Sequence, residues 1–561
     1  MARNLMIQGT MSGAGKTILT AGILRVLRQD GFRVAPFKSQ NMALNSFVTA
    51  DGLEMGRAQV VQAAAAGLEP SADMNPILLK PMGDTTSQVI VNGRPIGKMR
   101  AADYYRVKRS LVPQILEAYH RLEERADIIV IEGAGSPVEI NLREGDFVNM
   151  GLAEMVDAPV LLAGNIDPGG VFAQLLGTVR LLRPAERERV KGLIINKFRG
   201  DVSLLEPGLA MFRDYCDIPF AGVVPWMKLE LDEEDSMSQT LSQKGSPVGG
   251  EEIDIAVIRL PYLSNYTDFA PLGKTAGVRV RYVSQRAELG TPDLIILPGT
   301  KNTIGDLRWL RETGLAEEIC AMVRAGGTGD KETAAGYGGS TVGGPAAGTG
   351  PSAPLLMGIC GGYQMLGERI LDPLGSETGG AEKGLGLLPV ETVFREEKYT
   401  RQRSGRTRLL TGPWTALSDL PVSGYEIHMG DTEYLERRTA GELQSGLRED
   451  GQDHGEVFAS LGDLQEKDGA VSGGVLGTYL HGIFDEPELR SALVNLLRER
   501  KNGASEVGGK AAANPAADAP ESARRMQERQ LDLLADVLRE SLDWELIYRA
   551  IGIEGREGRD L

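Results

Sequence analysis

Short apolar runs alternate with amphipathic stretches from Leu5 to Val224, and this alternation restricts the fold more than any other feature. The runs Leu5–Gln8, Arg33–Pro36, Asp127–Ile131, Pro159–Ala163, Gly192–Asn196 and Phe220–Val224 are predicted strands. Helical patterns lie between several of them, as at Lys16–Gln29 and Val107–Glu124. Apolar strands alternating with helices form parallel βα units covered on both faces. Past Pro225 the pattern gives way to the acidic run Asp232–Asp235 and a Gly-containing stretch, read as a linker over 231–252. A second series of strands begins at Ile253–Ile258 and continues with Val278–Val283, Leu294–Leu297 and Leu355–Ile359. The expected fold is therefore α/β, with two doubly wound domains over 1–230 and 253–498. Two stretches rich in small residues, 325–354 and 499–521, bury too little apolar surface to offset their ordering entropy and are expected to be flexible. The last segment, 522–561, has the helical spacing Leu531, Leu534, Leu538 and Leu542, and could dock on either domain.

The chain carries 61 Lys and Arg against 77 Asp and Glu, a net charge of −16. That balance argues against broad nucleic-acid binding, which relies on Lys and Arg. It leaves room for a local loop that binds an anion. The three cysteines, Cys216, Cys320 and Cys360, cannot build a disulfide framework and fit a reducing, cytoplasmic compartment. No apolar run is long enough for a membrane span, and the first residues lack a signal-peptide pattern.

The run Leu5–Gln8 leads into Gly9-Thr10-Met11-Ser12-Gly13-Ala14-Gly15-Lys16-Thr17 and then a helix. This is the strand–loop–helix setting of a phosphate loop. Gly13 and Gly15 let backbone N–H groups face one anion, and the helix N-terminus adds positive potential. Lys16 can neutralise phosphate, and Thr17 can place its hydroxyl on Mg²⁺. Thr10 stands where the first glycine of the usual pattern would be. Glu132 ends the strand Asp127–Ile131, where a parallel sheet presents its ligands, and could hold Mg²⁺ opposite Thr17. Asn196 ends another strand and could contact the adenine base. Lys38, just after the strand around Val34, could meet a transferred phosphoryl group or an anionic substrate.

In the second half, Leu355–Ile359 breaks at Cys360-Gly361-Gly362 into a helical pattern. Small flanking residues allow a sharp elbow that exposes the thiol, as in Ser-based nucleophile elbows. Gly361 supplies one candidate oxyanion donor, and Gly299, at the end of Leu294–Leu297, the second. A helix N-terminus at the elbow would also favour the thiolate. Cys216 and Cys320 lack such elbows and read as structural. The base is sought among four histidines. His481 follows the strand Val475–Leu480 and precedes Gly482, and is favoured; His428 is the competitor. His120 reads as a helical surface residue and His454 as part of a polar loop.

These motifs carry a resemblance. The first half resembles the dethiobiotin-synthetase-like branch of phosphate-loop ATPases, which shares the Thr in place of the first glycine. The second half resembles class I glutamine amidotransferases. In this order they resemble the cobyrinate/cobyrate amidase-ligase family, through Arg33–Met42, Met74–Pro81, Leu297–Thr303, Gly424–Gly430 and Gly477–Gly482. The motifs look closest to the branch that amidates the b, d, e and g side chains of adenosylcobyrinic acid a,c-diamide. The resemblance implies ATP, Mg²⁺, L-glutamine and a corrinoid as reactants, with ATP activating carboxylates as acyl phosphates. It implies that Lys16, Thr17, Lys38 and Glu132 serve ATP and Mg²⁺, with Asp51 a further candidate metal ligand. Cys360 would form the glutamyl thioester with His481 as its base. A sheltered path for ammonia would join Cys360 to the phosphate loop. Many class I members orient the imidazole with a Glu two residues on, but Ile483 stands there. The third member is left open, with Asp485 and Glu426 as possibilities. The rival readings are an a,c-diamide synthase and a nucleotide-switched partitioning or scaffold ATPase. The sequence does not set the oligomeric state; a homodimer is one arrangement it allows.

Overall fold

A computed structural model describes residues 2–82, 85–231, 252–325, 353–435, 456–503 and 523–553. The chain divides into two units, Met1–Gln239 with Arg524–Leu561, and Thr240–Ala523. Most of the expected linker and of both stretches expected to be flexible lies outside the described residues, as does His454. The helix Pro487–Gly503 runs past the expected boundary at 498.

In the first unit, β1 (Arg3–Gly9) leads into the helix Lys16–Gln29, and β2 (Val34–Phe37) follows. Six short strands come next: β3 (Gln40–Met42), β4 (Ser46–Val48), β5 (Glu54–Gly56), β6 (Ile77–Pro81), β7 (Thr86–Val91) and β8 (Arg94–Arg100). Then β9 (Ile128–Glu132), β10 (Val160–Asn165), β11 (Val190–Phe198) and β12 (Phe220–Pro225) complete the unit. The central sheet runs β12-β11-β10-β1-β9-β2, and every pairing in it is parallel. Along β1, Met6 joins one hydrophobic cluster while Leu5 and Ile7 join another. That alternation covers both faces of the sheet.

The interval after Lys38 corrects the sequence reading, which placed no strand there. It holds the sheet β3-β6-β7-β8 and the hairpin β4–β5. Three-residue strands and the largely exposed β8 carry no apolar run to betray them. The single helix expected over Val107–Glu124 is also divided. A separate helix, Ala101–Val107, ends where it was to begin, a 3-10 turn spans Lys108–Leu111, and the helix Val112–Glu123 covers the rest. Pro113 lies in the first turn of the last of these, where its missing N–H breaks no hydrogen bond.

The final segment belongs to the first unit. Its helix Ala523–Ser541 buries Leu531, Leu534 and Leu538 in the cluster that holds Leu19 and Ile23 of the helix Lys16–Gln29. Arg25 pairs with Glu528 (2.7 Å) and Asp532 (2.8 Å), and Arg539 with Asp30 (2.6 Å). Asp543 caps the closing helix Trp544–Ala550, and its own N–H donates to Ala221 O at 2.7 Å.

The second unit contains β13 (Ile253–Ile258), β14 (Val278–Val283), β15 (Leu294–Leu297) and β16 (Leu355–Ile359), the four expected strands. It continues through β17 (Arg369–Asp372), β18 (Gly380–Lys383), β19 (Val390–Thr407) and β20 (Pro421–Tyr434). Last come β21 (Ala459–Leu461), β22 (Glu466–Asp468), β23 (Ala470–Ser472) and β24 (Val475–Thr478). The central sheet is β14-β13-β15-β16-β24-β23, parallel except for β23. A second sheet, β18-β17-β19-β21-β22 with β20 on β19, was not foreseen. Among the described residues, no helix is long and apolar enough to cross a membrane.

Leu538 is fully buried. Leu538→Ala should cost about 2–5 kcal/mol through lost burial and a residual cavity. Scanning calorimetry should show the transition of the first unit lowered and that of the second unchanged.

Candidate active sites

In the first unit, parallel register gathers the candidate residues at one edge of the sheet. Ile7 lies opposite Glu132, and Phe37 opposite Ile131, so Lys38 steps out of β2 beside the end of β9. Glu132 is buried, and its carboxylate gathers three donors. Thr17 Oγ1 and Lys38 Nζ each donate to Oε1 at 2.9 Å, and Gln62 Nε2 donates to Oε2 at 2.6 Å. Burial pushes the carboxyl pKa up, but Lys38, Gln62 and Lys16 outweigh it and hold the group below its usual value. Gln62 was missed. It comes from the Ala- and Val-rich helix Arg57–Ala66, and its only signal is a polar side chain on a buried face.

The phosphate loop rests on strand-end amides. Asn196 Nδ2 donates to Ala14 O at 2.9 Å, and Asn165 Nδ2 to Gly13 O at 3.2 Å. Asn196 therefore sits beneath the loop and braces it. Gly15 has φ 83°, and a Cβ there would collide with the Asn196 amide. Glycine is needed on both counts. Lys16 Nζ lies across the loop, donating to Met11 O (3.1 Å) and Gly135 O (3.2 Å). Thr10 uses its hydroxyl on Gln174 Oε1 (3.1 Å) and its N–H on Ala163 O (2.9 Å), so the missing glycine is replaced by an anchor.

Asp51 is exposed in the turn between β4 and β5, where it accepts from Thr49 Oγ1, and it is not part of the Glu132 cluster. No group of three or more His, Cys, Asp or Glu side chains among the described residues could hold a metal ion. The hydroxyl of Thr17 and the ionised Glu132 are hard oxygen donors at one point. They fit a Mg²⁺ ion that takes its other ligands from phosphate and water.

In the second unit the sheet again collects its site at the carboxyl ends. Asp268 follows β13, Gly299 follows β15, Cys360 ends β16 and His481 follows β24, and these four strands are consecutive neighbours. Cys360 is buried, with φ 50° and ψ −108°, a conformation few non-glycine residues adopt. Its N–H is held by Thr478 O (2.8 Å), and its Sγ lies 3.8 Å from Ile427 O. Gly362 packs so closely on the Leu297 backbone that a Cβ would overlap the carbonyl, so the elbow fits only a glycine there. A Cβ at Gly299 would lie 2.9 Å from His481 Cε1, which sets the candidate oxyanion loop against the imidazole.

The third member, left open from sequence, is Asp268. His481 Nδ1 lies 2.6 Å from Asp268 Oδ2, across 213 residues of chain, and Gly482 N donates to Oδ1 at 3.1 Å. Burial lowers the His481 pKa, but the charges and hydrogen bonds of Asp268 and Cys360 overcome it and raise the value to about 9. With Nδ1–H fixed on Asp268, Nε2 is the nitrogen left to exchange a proton with the thiol. The alternatives do not fill this role. Glu426 faces Arg401 (3.4 Å) and Arg403 (3.8 Å), and Asp485 lies in the turn after Gly482. The signal for Asp268 was an acid after the first strand of the second half, too common a feature to single out.

The other sulfur and imidazole groups fall where expected. His428 stacks between Tyr399 and Tyr479, with Nδ1 2.7 Å from Gly430 O. Burial lowers its pKa to about 3, so it stays neutral and is no proton carrier near pH 7. His120 is an exposed helical residue paired with Glu123 (2.9 Å). Cys216 is buried in the core, and burial raises the Cys320 pKa.

Comparison with known proteins adds to this geometry. Residues 5–238 match the CobQ/CobB/MinD/ParA nucleotide binding domain. Residues 254–329 and 352–489 match the CobB/CobQ-like glutamine amidotransferase domain. The cobyric acid synthase of Lachnoclostridium phytofermentans is 49% identical over 557 residues, covering 98% of this chain and 99% of its own length. The chain belongs to the cobyric acid synthase family. The cobyric acid synthases of Ruminiclostridium cellulolyticum (49% over 556 residues, 99% and 98% covered) and Photorhabdus laumondii (46% over 557, 98% and 98%) are similar throughout. Membership of the cobyric acid synthase family makes the chain a glutamine-dependent amidotransferase and sets aside the switch-ATPase reading.

The His481–Asp268 pair yields a test with a definite sign. The folded pKa, about 9, lies above the ordinary 6.5. The pair's stabilisation is therefore full below pH 6.5 and is lost as pH rises through 9. In Asp268→Asn this loss should shift to lower pH, read from the melting of the second unit against pH. Glutamine turnover should fall at least about tenfold, mainly in kcat, since the imidazole loses its fixed tautomer.

Proposed function

We propose that this chain carries out ATP- and glutamine-dependent amidation of corrinoid carboxylates in cobalamin biosynthesis, in the cytoplasm. The substrate is adenosylcobyrinic acid a,c-diamide, amidated at b, d, e and g to give adenosylcobyric acid. One observation carries the reading. A thiol–imidazole–carboxylate set, Cys360, His481 and Asp268, shares a chain with a phosphate loop whose Thr17 converges with Lys38 and Glu132 from the neighbouring strand ends.

The chemistry needs both sites. A carboxylate is a poor electrophile, and transfer of the ATP γ-phosphoryl gives it a leaving group. Lys16 and Lys38 stabilise the charge on the phosphoryl oxygens, and the loop N–H groups orient them. Thr17 and Glu132 would hold Mg²⁺, which would supply charge neutralisation for the phosphates. In the other unit, the Cys360 thiol gives its proton to His481 Nε2 and attacks the glutamine side-chain amide. The backbone N–H groups of Gly299 and Gly361 hold the oxyanion. The imidazolium returns the proton to the departing ammonia, leaving a thioester that water hydrolyses to glutamate. The ammonia displaces phosphate from the activated corrinoid carboxyl group.

Incubation with ATP, Mg²⁺, glutamine and the a,c-diamide, followed by mass analysis, should show four carboxyl-to-amide conversions. Two conversions on cobyrinic acid instead would indicate an a,c-diamide synthase. Cys360→Ala should abolish glutamine-driven amidation yet retain it with added ammonium. Lys16→Ala should remove it with either nitrogen source, and normal turnover in that variant would sink the phosphate-loop role.

A further inference from the structure

The chain is acidic overall, but one stretch reverses the sign. From Arg94 to Arg109 it carries Arg94, Lys98, Arg100, Arg106, Lys108 and Arg109 against the single acid Asp103. β8 is the edge strand of its sheet, and all of it except Met99 is exposed. Lys98 and Arg100 lie opposite Gln88 and Thr86, and so share one face of the β7–β8 pair. Among the described residues, no carboxylate pairs with Arg94 or Arg100. Apolar groups stand exposed between these charges: Ile96 (49%), Tyr105 (46%) and Val107 (37%).

The cationic stretch is also tied to the phosphoryl site of the same unit. Tyr104 OH donates to Gln40 Oε1 at 2.5 Å, two residues beyond Lys38. Lys108 Nζ lies 4.6 Å from the Tyr105 ring centroid and 5.8 Å from that of Phe147. Phe147 O accepts from Ser39 Oγ (2.7 Å), the neighbour of Lys38. Asn149, in the same loop, donates to Ala134 O (2.6 Å), just past Glu132. The segment Tyr104–Lys108, which directly follows β8, is therefore two contacts from Lys38 and Glu132.

A corrinoid that still carries unamidated side chains presents several carboxylates around an apolar ring. Resting on the functional reading above, we propose that β8 and the helix after it, Ala101–Val107, form the docking surface for the carboxylate rim of the corrinoid substrate. Lys98 and Arg100, on one face of the β7–β8 pair, face its carboxylates, and Ile96 and Tyr105 meet the ring. Each amidation replaces a carboxylate by a neutral amide, so the hold on the substrate weakens stepwise as the reaction advances.

The double variant Lys98→Gln/Arg100→Gln of the full chain tests this by initial rates. The KM for the a,c-diamide should rise roughly fivefold, from two exposed charge contacts. The rise should shrink with each amide already present, and be smallest for the intermediate with one carboxylate left to convert. The KM for ATP and glutamine hydrolysis should be unchanged, and Lys98→Arg/Arg100→Lys should keep most of the affinity. An unchanged KM for the diamide, or an equal rise for every intermediate, would overturn the assignment. If the parent protein hydrolyses glutamine but leaves the diamide unamidated, the functional reading itself fails, and the docking surface with it.

Discussion

Parallel strands deliver all their carboxyl ends to one edge of a sheet, and both reactive clusters depend on that constraint. In each unit, side chains far apart in sequence meet because neighbouring strands end together. Glu132, Lys38 and the phosphate loop hang from β9, β2 and β1, which are adjacent. Asp268, Gly299, Cys360 and His481 hang from β13, β15, β16 and β24, also adjacent. The hydrophobic alternation that builds the sheets therefore also places the chemistry. A register slip of one residue would turn Glu132 from the crevice into the opposite layer.

The two clusters also share an electrostatic design. Each buries an ionisable pair, Lys38–Glu132 in one unit and His481–Asp268 in the other. Burial opposes the charged forms of Glu132 and His481, and their partners and hydrogen bonds offset it. For the first pair this fixes a carboxylate that stays ionised. For the second it fixes an imidazole whose proton affinity is raised. Pairing also makes the sites fragile, since removal of one partner leaves a buried charge costing about 3–5 kcal/mol.

What was legible in the sequence was local. The Gly-rich turn between a strand and a helix, and the Gly-flanked Cys360, concentrate their signal within about ten residues, as such motifs do. His481 stood out because a strand and a glycine bracket it. Asp268 and Gln62 carry no such bracket, and their roles arise only when strands or helices pack. Of the inserted strands, β3 to β5 are too short to show a hydrophobic period and β8 is exposed, whereas the apolar runs Ile77–Leu79 of β6 and Val89–Val91 of β7 were present and not read as strands. Pro113 was visible, but its first-turn position lets a helix begin there as readily as end. The apolar spacing of Leu531, Leu534 and Leu538 announced a buried helical face without naming the surface that would cover it. Asn196 illustrates a different limit. Its strand-end position was read correctly, yet only the fold shows the amide spent on the loop backbone.

The first unit is assembled from both ends of the chain, with the whole amidotransferase unit between them. During synthesis, the helix Lys16–Gln29 emerges early, and its leucine-rich cover emerges last. The core beneath the phosphate loop cannot close until the residues of the second unit have left the ribosome. A truncated product that ends before Arg524 would expose the faces of Leu19 and Ile23 that the final helix covers. Order of synthesis thus makes the nucleotide-binding unit the last to be finished, after the whole amidotransferase unit has been made.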